Sequence, residues 1–153
     1  MNRIVLDCSA AIHIVRGTDE GLGLAQLLRT REISSIMAPD LLYAEVGSAL
    51  SKYWRAGYMD VLQVKRLAEA AIGLVDISVP MNELHVEALA ESLRLGHSIY
   101  DMFYMVLARR NDAILMTSDR RLNALCEREG VRHIVRMELK NSPTGEREWH
   151  IAE

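Results

Sequence analysis

The chain has 153 residues, the usual length of one domain, which argues against separate cofactor and substrate domains. Half of the residues are apolar and a quarter are charged, a balance typical of globular proteins and not of disordered or fibrous ones. Eighteen Lys and Arg against 21 Asp and Glu give a net charge of −3, so any nucleic-acid binding has to depend on a local basic surface.

The cysteines and the apolar runs of the sequence indicate the cellular compartment of the protein. Cys8 and Cys126 lie far apart and form no CxxC pair, so we expect neither a disulfide framework nor a thiolate metal site. No apolar run approaches the length of a membrane span, and the residues after Met1 lack the long apolar region of a signal peptide. We therefore expect a cytoplasmic protein with no membrane partner.

Short apolar runs alternate with longer periodic ones along the chain, which indicates an α/β sheet. Residues 4–6 predict a strand that is buried on both faces and ends at Asp7, with Ser9 expected to cap the helix that follows. A second helix is expected over about 19–31, and a strand over 33–38.

The middle of the chain predicts three more helices and one strand. The third helix is expected to begin at Pro39-Asp40, since proline is tolerated in a first turn, and to end at Gly57. Asp60 predicts the cap of the next helix. The remaining predicted elements are a helix to about 74, a strand over 75–79, and helices over about 82–95 and 98–111.

The last part of the chain completes the expected sheet. It predicts a strand over 113–117, a helix from Ser118 or Asp119 to about 129, and a final strand over 131–135. Residues 141–145 have the composition of a turn, and whether the tail is a hairpin or an arm stays open. The prediction is a three-layer α/β/α sandwich with about five mostly parallel strands and about seven helices, in a domain over 1–136 with a tail or hairpin over 137–153.

Two acidic residues directly follow predicted strands. Asp7 and Asp119 should lie at the same sheet edge, where open parallel sheets bind their ligands. Glu45 lies inside the third helix and Asp101 near the start of an almost uncharged helix, where a lone carboxylate needs a partner. Taken alone, each acid equally fits a surface residue or a helix cap, Asp119 most of all.

Four carboxylates at one point need a counter-charge. At ~4 Å and an effective dielectric constant of ~20, each pair would repel by roughly 4 kcal/mol. Oxygen ligands without His or Cys favour Mg²⁺ or Mn²⁺ over zinc. Such an ion activates water and polarises a phosphoryl group, which is what phosphodiester hydrolysis requires. The histidines show no metal-ligand spacing, and we assign none of them to catalysis.

Four segments, in order, carry a family resemblance: 5–9, 39–46, 100–108 and 115–119. On these segments the chain resembles the PIN-domain ribonucleases, in particular the short VapC-like toxins of toxin–antitoxin pairs, over roughly 3–135. The resemblance implies a PIN-like fold and a Mg²⁺- or Mn²⁺-dependent endoribonuclease, in which metal-activated water attacks a phosphodiester of structured RNA, a tRNA or rRNA. It also implies a homodimer and a cognate antitoxin protein that blocks the acidic groove.

The resemblance assigns roles to particular positions. The implied catalytic and metal-binding residues are Asp7, Glu45, Asp101 and Asp119, with supporting hydroxyls from Ser9 and Thr117. Met102 departs from the pattern, because relatives usually carry a small residue there, but the change removes no ligand.

Cations cluster near these acids in the sequence. Lys52 and Arg55 share a helical stripe with Glu45, and Lys52 stands about 10 Å along the helix axis from it. We take Lys52, Arg55 and Arg120 as candidates for binding the RNA backbone. Each of them equally fits a solvated face or a cation that complements a helix dipole.

Other α/β classes also place acids after strands. Haloacid-dehalogenase-type phosphatases need a second Asp two residues after the first, where this chain has Ser9. Receiver-like signalling modules need an acidic pair beside the first strand and a Lys after the fifth, and neither occurs where required. A non-catalytic PIN-like module that binds RNA or protein stays open as the alternative, and only the full acidic set argues against it.

Overall fold

Strands and helices alternate along residues 1–138 and 147–152, which are the residues that the computed structural model describes. The strands are β1 (Asn2–Leu6), β2 (Ile33–Pro39), β3 (Ile77–Val79), β4 (Ile114–Met116), β5 (His133–Glu138) and β6 (Arg147–Ala152). The helices are α1 (Cys8–Arg16), α2 (Asp19–Thr30), α3 (Leu41–Arg55), α4 (Val61–Ile72), α5 (His85–Leu95), α6 (Ile99–Arg110) and α7 (Arg120–Glu129), with a 3₁₀ turn at Met81–Glu83. The expected turn over 141–145 lies outside the described residues.

The described strands form one sheet in the order β3-β2-β1-β4-β5-β6. The first five strands run parallel to their neighbours, and β6 pairs antiparallel with β5. In sequence order, β2 and β3 are added on one side of β1, and β4 and β5 are then added on its other side. The strand order therefore reverses between β1 and β4, and ligands of open α/β sheets bind beyond the carboxyl ends of the strands at such a point.

The core lies between this sheet and the helices packed on it. Residues 4–6 of β1 are fully buried, as expected for an interior parallel strand. In α6, residues 102–108 are all buried, and the helix packs on β1, β2 and β4. The predicted three-layer α/β/α sandwich is confirmed. Within the described residues, no helix combines the length and the apolar character that crossing a membrane requires.

Two predicted helix starts are wrong. Asp7, and not Ser9, caps α1, because its Oδ1 accepts the Ala10 N–H at 2.9 Å. Pro39 ends β2 and α3 begins two residues later. Backbone pairing with β3 continues past Pro39, since the Asp40 N–H donates to the Val79 carbonyl at 2.8 Å and delays the helix.

The end of the sheet also differs from the prediction. The Val131 N–H donates to the Cys126 carbonyl at 2.9 Å and so belongs to the end of α7, which moves the start of β5 to His133. The strand runs to Glu138, so the expected domain boundary at 136 falls inside it. The sheet has a sixth described strand because the tail returns as β6 against β5. The helix expected from residue 82 begins as the 3₁₀ turn, and α5 follows from His85.

Candidate active site

Four acidic side chains from separate parts of the chain line one cleft of about 450 Å³ beside the carboxyl ends of β1 and β4. Asp7 directly follows β1, and Asp119 follows β4. Glu45 projects from the second turn of α3, and Asp101 from the first turn of α6. The structure therefore brings together all four acids that the sequence singled out.

Asp7 is the most buried of the four, with 6% of its surface exposed. Its Oδ1 accepts hydrogen bonds from the Ala10 N–H at 2.9 Å and the Ser9 hydroxyl at 2.7 Å, and its Oδ2 accepts one from Thr117. Burial nevertheless raises the pKa of Asp7 from 3.8 to about 6, and the negative charge of Asp101 adds to the rise. Holding Asp7 ionised at neutral pH therefore costs free energy in the absence of a cation.

The two predicted supporting hydroxyls join the loop after β4 to the loop after β1. The Ser9 and Thr117 hydroxyls lie 3.2 Å apart while both donate to Asp7. Ser9 Oγ also accepts the Ser118 N–H at 2.9 Å, and Thr117 Oγ1 accepts the Asp119 N–H at 3.0 Å. This network fixes the position of the Asp7 carboxylate and the course of the loop that carries Asp119.

Glu45 and Asp101 each face a protein partner. Tyr104 donates its phenolic O–H to Glu45 Oε1 at 2.6 Å, and His97 Nε2 lies 2.7 Å from Asp101 Oδ2. Burial raises the pKa of both carboxyl groups, against the lowering effect of these hydrogen bonds. The charge of Asp101 raises the pKa of both Asp7 and Glu45, so Asp101 lies electrostatically at the centre of the cluster.

Asp119 has two functions in the fold. Its Oδ1 accepts the Arg121 N–H at 2.7 Å and the Leu122 N–H at 3.2 Å, which makes it the cap of α7. It also lines the cleft, and its charge helps to raise the pKa of Asp101. The capping and the acidic-site interpretations of Asp119 are therefore compatible.

The donor chemistry of the cleft suits a hard divalent cation, because carboxylate oxygens are the preferred ligands of Mg²⁺ and Mn²⁺. In the described ranges, no group of three or more His, Cys, Asp or Glu side chains is already arranged to hold an ion. Glu45 and Asp101 point their oxygens at Tyr104 and His97 instead. Each carboxylate uses one oxygen for this hydrogen bond, and its second oxygen can bind an ion while the hydrogen bond is kept.

The three cations that were predicted to bind RNA lie on different surfaces of the protein. Lys52 lines the cleft with the acids, on the same helical stripe as Glu45, as expected. Arg55 is exposed and is not among the residues that line the cleft. Arg120 is also exposed and lines a different cavity, on the other side of the loop after β4.

Sequence reasoning missed several residues of the cleft. Arg16 lines it with its guanidinium 4.5 Å from the centre of the Tyr53 ring and donates to the Tyr53 hydroxyl at 2.9 Å. These two residues lie 37 positions apart, and no local pattern signals the pairing. Tyr104 had a usable signal, because it stands three residues after Asp101 in α6, a spacing that places side chains on one helical face. His97 lies before α6 begins, so helical spacing does not predict its contact with Asp101.

Comparison with known proteins identifies the class. A model of the PIN domain matches residues 4–128. The chain belongs to the PIN domain family. Over 124 residues it is 31% identical to Ribonuclease VapC1 of Mycobacterium tuberculosis, an alignment that covers 81% of this chain and 91% of that protein. This relationship confirms the predicted family and supports a ribonuclease of the VapC type.

Solved structures share the fold. PAE2754 from Pyrobaculum aerophilum aligns with a TM-score of 0.61 at 24% identity, over 80% of this chain and 78% of that one. VapBC2 from Rickettsia felis, solved bound to a DNA fragment from their promoter, aligns with a TM-score of 0.57 at 15% identity, over 84% of this chain and 92% of that one. These similarities confirm the PIN-like fold.

Proposed function

We propose that this chain is a divalent-metal-dependent endoribonuclease, a toxin of the VapC type that cleaves structured RNA such as tRNA or rRNA. The observation that carries the proposal is the meeting of four carboxylates from four parts of the chain in one cleft. Three of them, Asp7, Glu45 and Asp101, have raised pKa values, which is the expected state of an acidic cluster without its counter-charge.

The proposed roles follow the placement of the side chains. Mg²⁺ or Mn²⁺ would be held by Asp7, Glu45, Asp101 and Asp119, and the bound ion supplies an activated water and stabilises charge on the scissile phosphate. Ser9 and Thr117 hold the Asp7 carboxylate by donating to it. Tyr104 orients Glu45 by donating to its Oε1.

The cationic side of the cleft is suited to the RNA backbone. Lys52 and Arg16 line it together with the acids. Tyr53 holds the Arg16 guanidinium in place, and an ordered guanidinium loses less entropy when it binds a phosphate. The net charge of −3 makes this local pair, with Arg55 and Arg120 farther out, the expected source of phosphate binding.

The proposal extends to protein partners. A VapC-type toxin requires a cognate antitoxin protein, which we place over the acidic cleft, and we expect the free chain to be a homodimer. Size-exclusion chromatography with light scattering tests the dimer. Pull-down with the product of an adjacent open reading frame, followed by its effect on RNA cleavage, tests the antitoxin.

The nuclease itself is tested with purified protein and a tRNA. Cleavage should require added Mg²⁺ or Mn²⁺ and stop in EDTA. Asp101→Asn should abolish cleavage because Asp101 contributes charge at the centre of the cluster. The matched control is Asp112→Asn, an exposed carboxylate at a left-handed turn position that Asn also tolerates, and it should cleave normally.

Two results would contradict this mechanism: cleavage that persists in EDTA, or cleavage that survives Asp101→Asn. A different result would favour the non-catalytic PIN-like module. In that case the protein binds RNA without cutting it under any metal, and Mn²⁺ titration shows no site that depends on Asp101. One observation favours this second candidate: His97 and Tyr104 are hydrogen-bonded to two of the four carboxylates.

A further inference from the structure

The turn between α5 and α6 brings a histidine against one acid of the cleft. His97 Nε2 lies 2.7 Å from Asp101 Oδ2, and the two side chains are only 18% and 28% exposed. An ionised carboxylate accepts hydrogen bonds and donates none, so the ring donates its Nε2–H to Asp101. Asp101 lines the acidic cleft, and His97 is not among the described residues that line it. The ring therefore holds Asp101 from outside the cleft.

The backbone of this turn fixes the position of His97. Gly96 ends α5 in the left-handed region, at a φ of 60°, and its N–H donates to the Ser92 carbonyl. The His97 N–H donates to the same carbonyl at 3.2 Å. The Ser92 hydroxyl donates in return to the His97 carbonyl at 2.5 Å. Both main-chain polar groups of His97 are thus held, and its ring reaches the first turn of α6 from a fixed backbone.

The start of α6 shows that Asp101 is not used as a helix cap. Residues 98–101 have the spacing of a capping box, in which the first and fourth side chains accept each other's N–H groups. Ser98 makes no capping hydrogen bond with its side chain, and the Asp101 carboxylate bonds His97 instead. In the part of the chain that the structure describes, His97 is the only hydrogen-bond partner of the Asp101 side chain. The orientation of Asp101 therefore depends on His97.

We propose that His97 is a positioning residue of the metal site, which holds Asp101 Oδ2 and so presents Asp101 Oδ1 to the divalent cation. This inference rests on the proposed nuclease function. The hydrogen bond uses one carboxylate oxygen and leaves the second for the ion. His97 itself does not contact the ion or the RNA in this arrangement, so its effect passes through Asp101.

The size of the effect follows from how few groups hold Asp101. Within residues 1–138 and 147–152, the Asp7 carboxylate accepts three hydrogen bonds, that of Asp119 two, and that of Asp101 one. A carboxylate that is already held loses less freedom when it binds an ion. Groups that hold a ligating carboxylate typically account for about 10–100-fold in metal affinity. We expect the lower end of this range, because three other acids remain to bind the ion.

Mn²⁺ binding to the purified chain, without RNA, tests this role. The EPR signal of free Mn²⁺ falls as the ion binds, so a titration gives a Kd that does not depend on cleavage. His97→Leu removes the donor and should weaken Mn²⁺ binding by about tenfold. His97→Gln places an amide N–H close to the position of the ring Nε2–H and should restore most of the parent affinity. Packing alone does not explain such a rescue, because Gln does not reproduce the imidazole ring.

Two further variants separate the hydrogen bond from folding. His97→Asn keeps a polar amide but is one methylene shorter than Gln, so its N–H does not reach Asp101, and it should weaken Mn²⁺ binding as His97→Leu does. The contrast between Gln and Asn decides the test if His97→Leu does not fold. The matched control is His85→Leu, at an exposed histidine that starts α5 and lies outside the cleft, and it should bind Mn²⁺ as the parent does.

The outcomes distinguish this inference from the nuclease proposal. Mn²⁺ binding with the expected order of variants, but without RNA cleavage, supports the role of His97 and contradicts the nuclease. RNA cleavage together with equal Mn²⁺ binding by the parent and His97→Asn overturns the role of His97 alone. That role is also overturned if His97→Gln weakens binding as much as His97→Asn, since the ring nitrogen would then be a ligand of the ion. A parent that binds no Mn²⁺ overturns both proposals.

Discussion

Asp7→Asn should stabilise the metal-free protein although Asp7 lies at the centre of the proposed active site. The pKa of Asp7 is about 6 in the folded chain against an ordinary 3.8. A carboxyl group with a raised pKa in the folded state contributes its stability below about pH 4 and loses it as the pH rises through about 6. The difference corresponds to about 3 kcal/mol lost by the wild type at pH 8 and not lost by the amide.

Part of this gain is offset by the hydrogen bonds of the site. The Asn oxygen can still accept the Ala10 N–H and the Ser9 hydroxyl, and the Thr117 hydroxyl, which faces the other atom of the side chain, can turn to accept from the new amide. One of the two hydroxyls then loses a charged acceptor, at about 1 kcal/mol. The expected net stabilisation by Asp7→Asn at pH 8 is therefore about 2 kcal/mol, and it should vanish or reverse near pH 4.

Urea denaturation in EDTA at several pH values measures this difference. Asp112→Asn serves as the control for what an amide substitution does at each pH. Adding MnCl₂ at pH 8 should stabilise the wild type and leave Asp7→Asn unchanged, because only an ion that binds the folded state shifts the unfolding equilibrium. A stability difference that stays constant with pH would refute the reasoning, as would equal stabilisation of both proteins by manganese.

Three further changes test other parts of the structure. Tyr104→Phe removes the O–H donated to Glu45 and should lower kcat for RNA cleavage more than KM; unchanged kcat would contradict a positioning role. Asp60→Ala removes the cap of α4 and should cost about 1 kcal/mol in urea denaturation, whereas no cost would show that the cap is dispensable. Gly23→Val should displace the indole of Trp149 and shift its fluorescence to longer wavelength, and an unshifted spectrum would argue against their close contact.

Local sequence signals located most of the site. Asp7 and Asp119 were predictable because strand ends at a sheet edge are readable from apolar runs, and the structure places both at the ends of parallel strands. Glu45 and Asp101 were predictable because a carboxylate in an apolar stretch of helix needs a partner. The position of Lys52 on the same side of α3 as Glu45 was predictable from helical spacing alone.

Other features depended on contacts that no local pattern contains. The pairing of Arg16 with Tyr53 joins two helices far apart in the sequence. Trp149 lines a cavity beside the loop after β4, and it lies on a strand whose antiparallel pairing follows a weak sequence pattern. Pro39 misled the prediction for a different reason, because proline suits both the last residue of a strand and the first turn of a helix.

The pairing of β1 with β4 has a consequence for the order of events during translation. Asp7 leaves the ribosome early, but Thr117, which completes its hydrogen bonds, is 110 positions later in the chain. Synthesis runs from the N-terminus at about 5–20 residues per second, so a nascent chain stays without an assembled acidic centre for at least several seconds. A truncated product that stops before β4 therefore lacks both Thr117 and Asp119, and the acidic cleft is complete only when nearly the whole domain has been made.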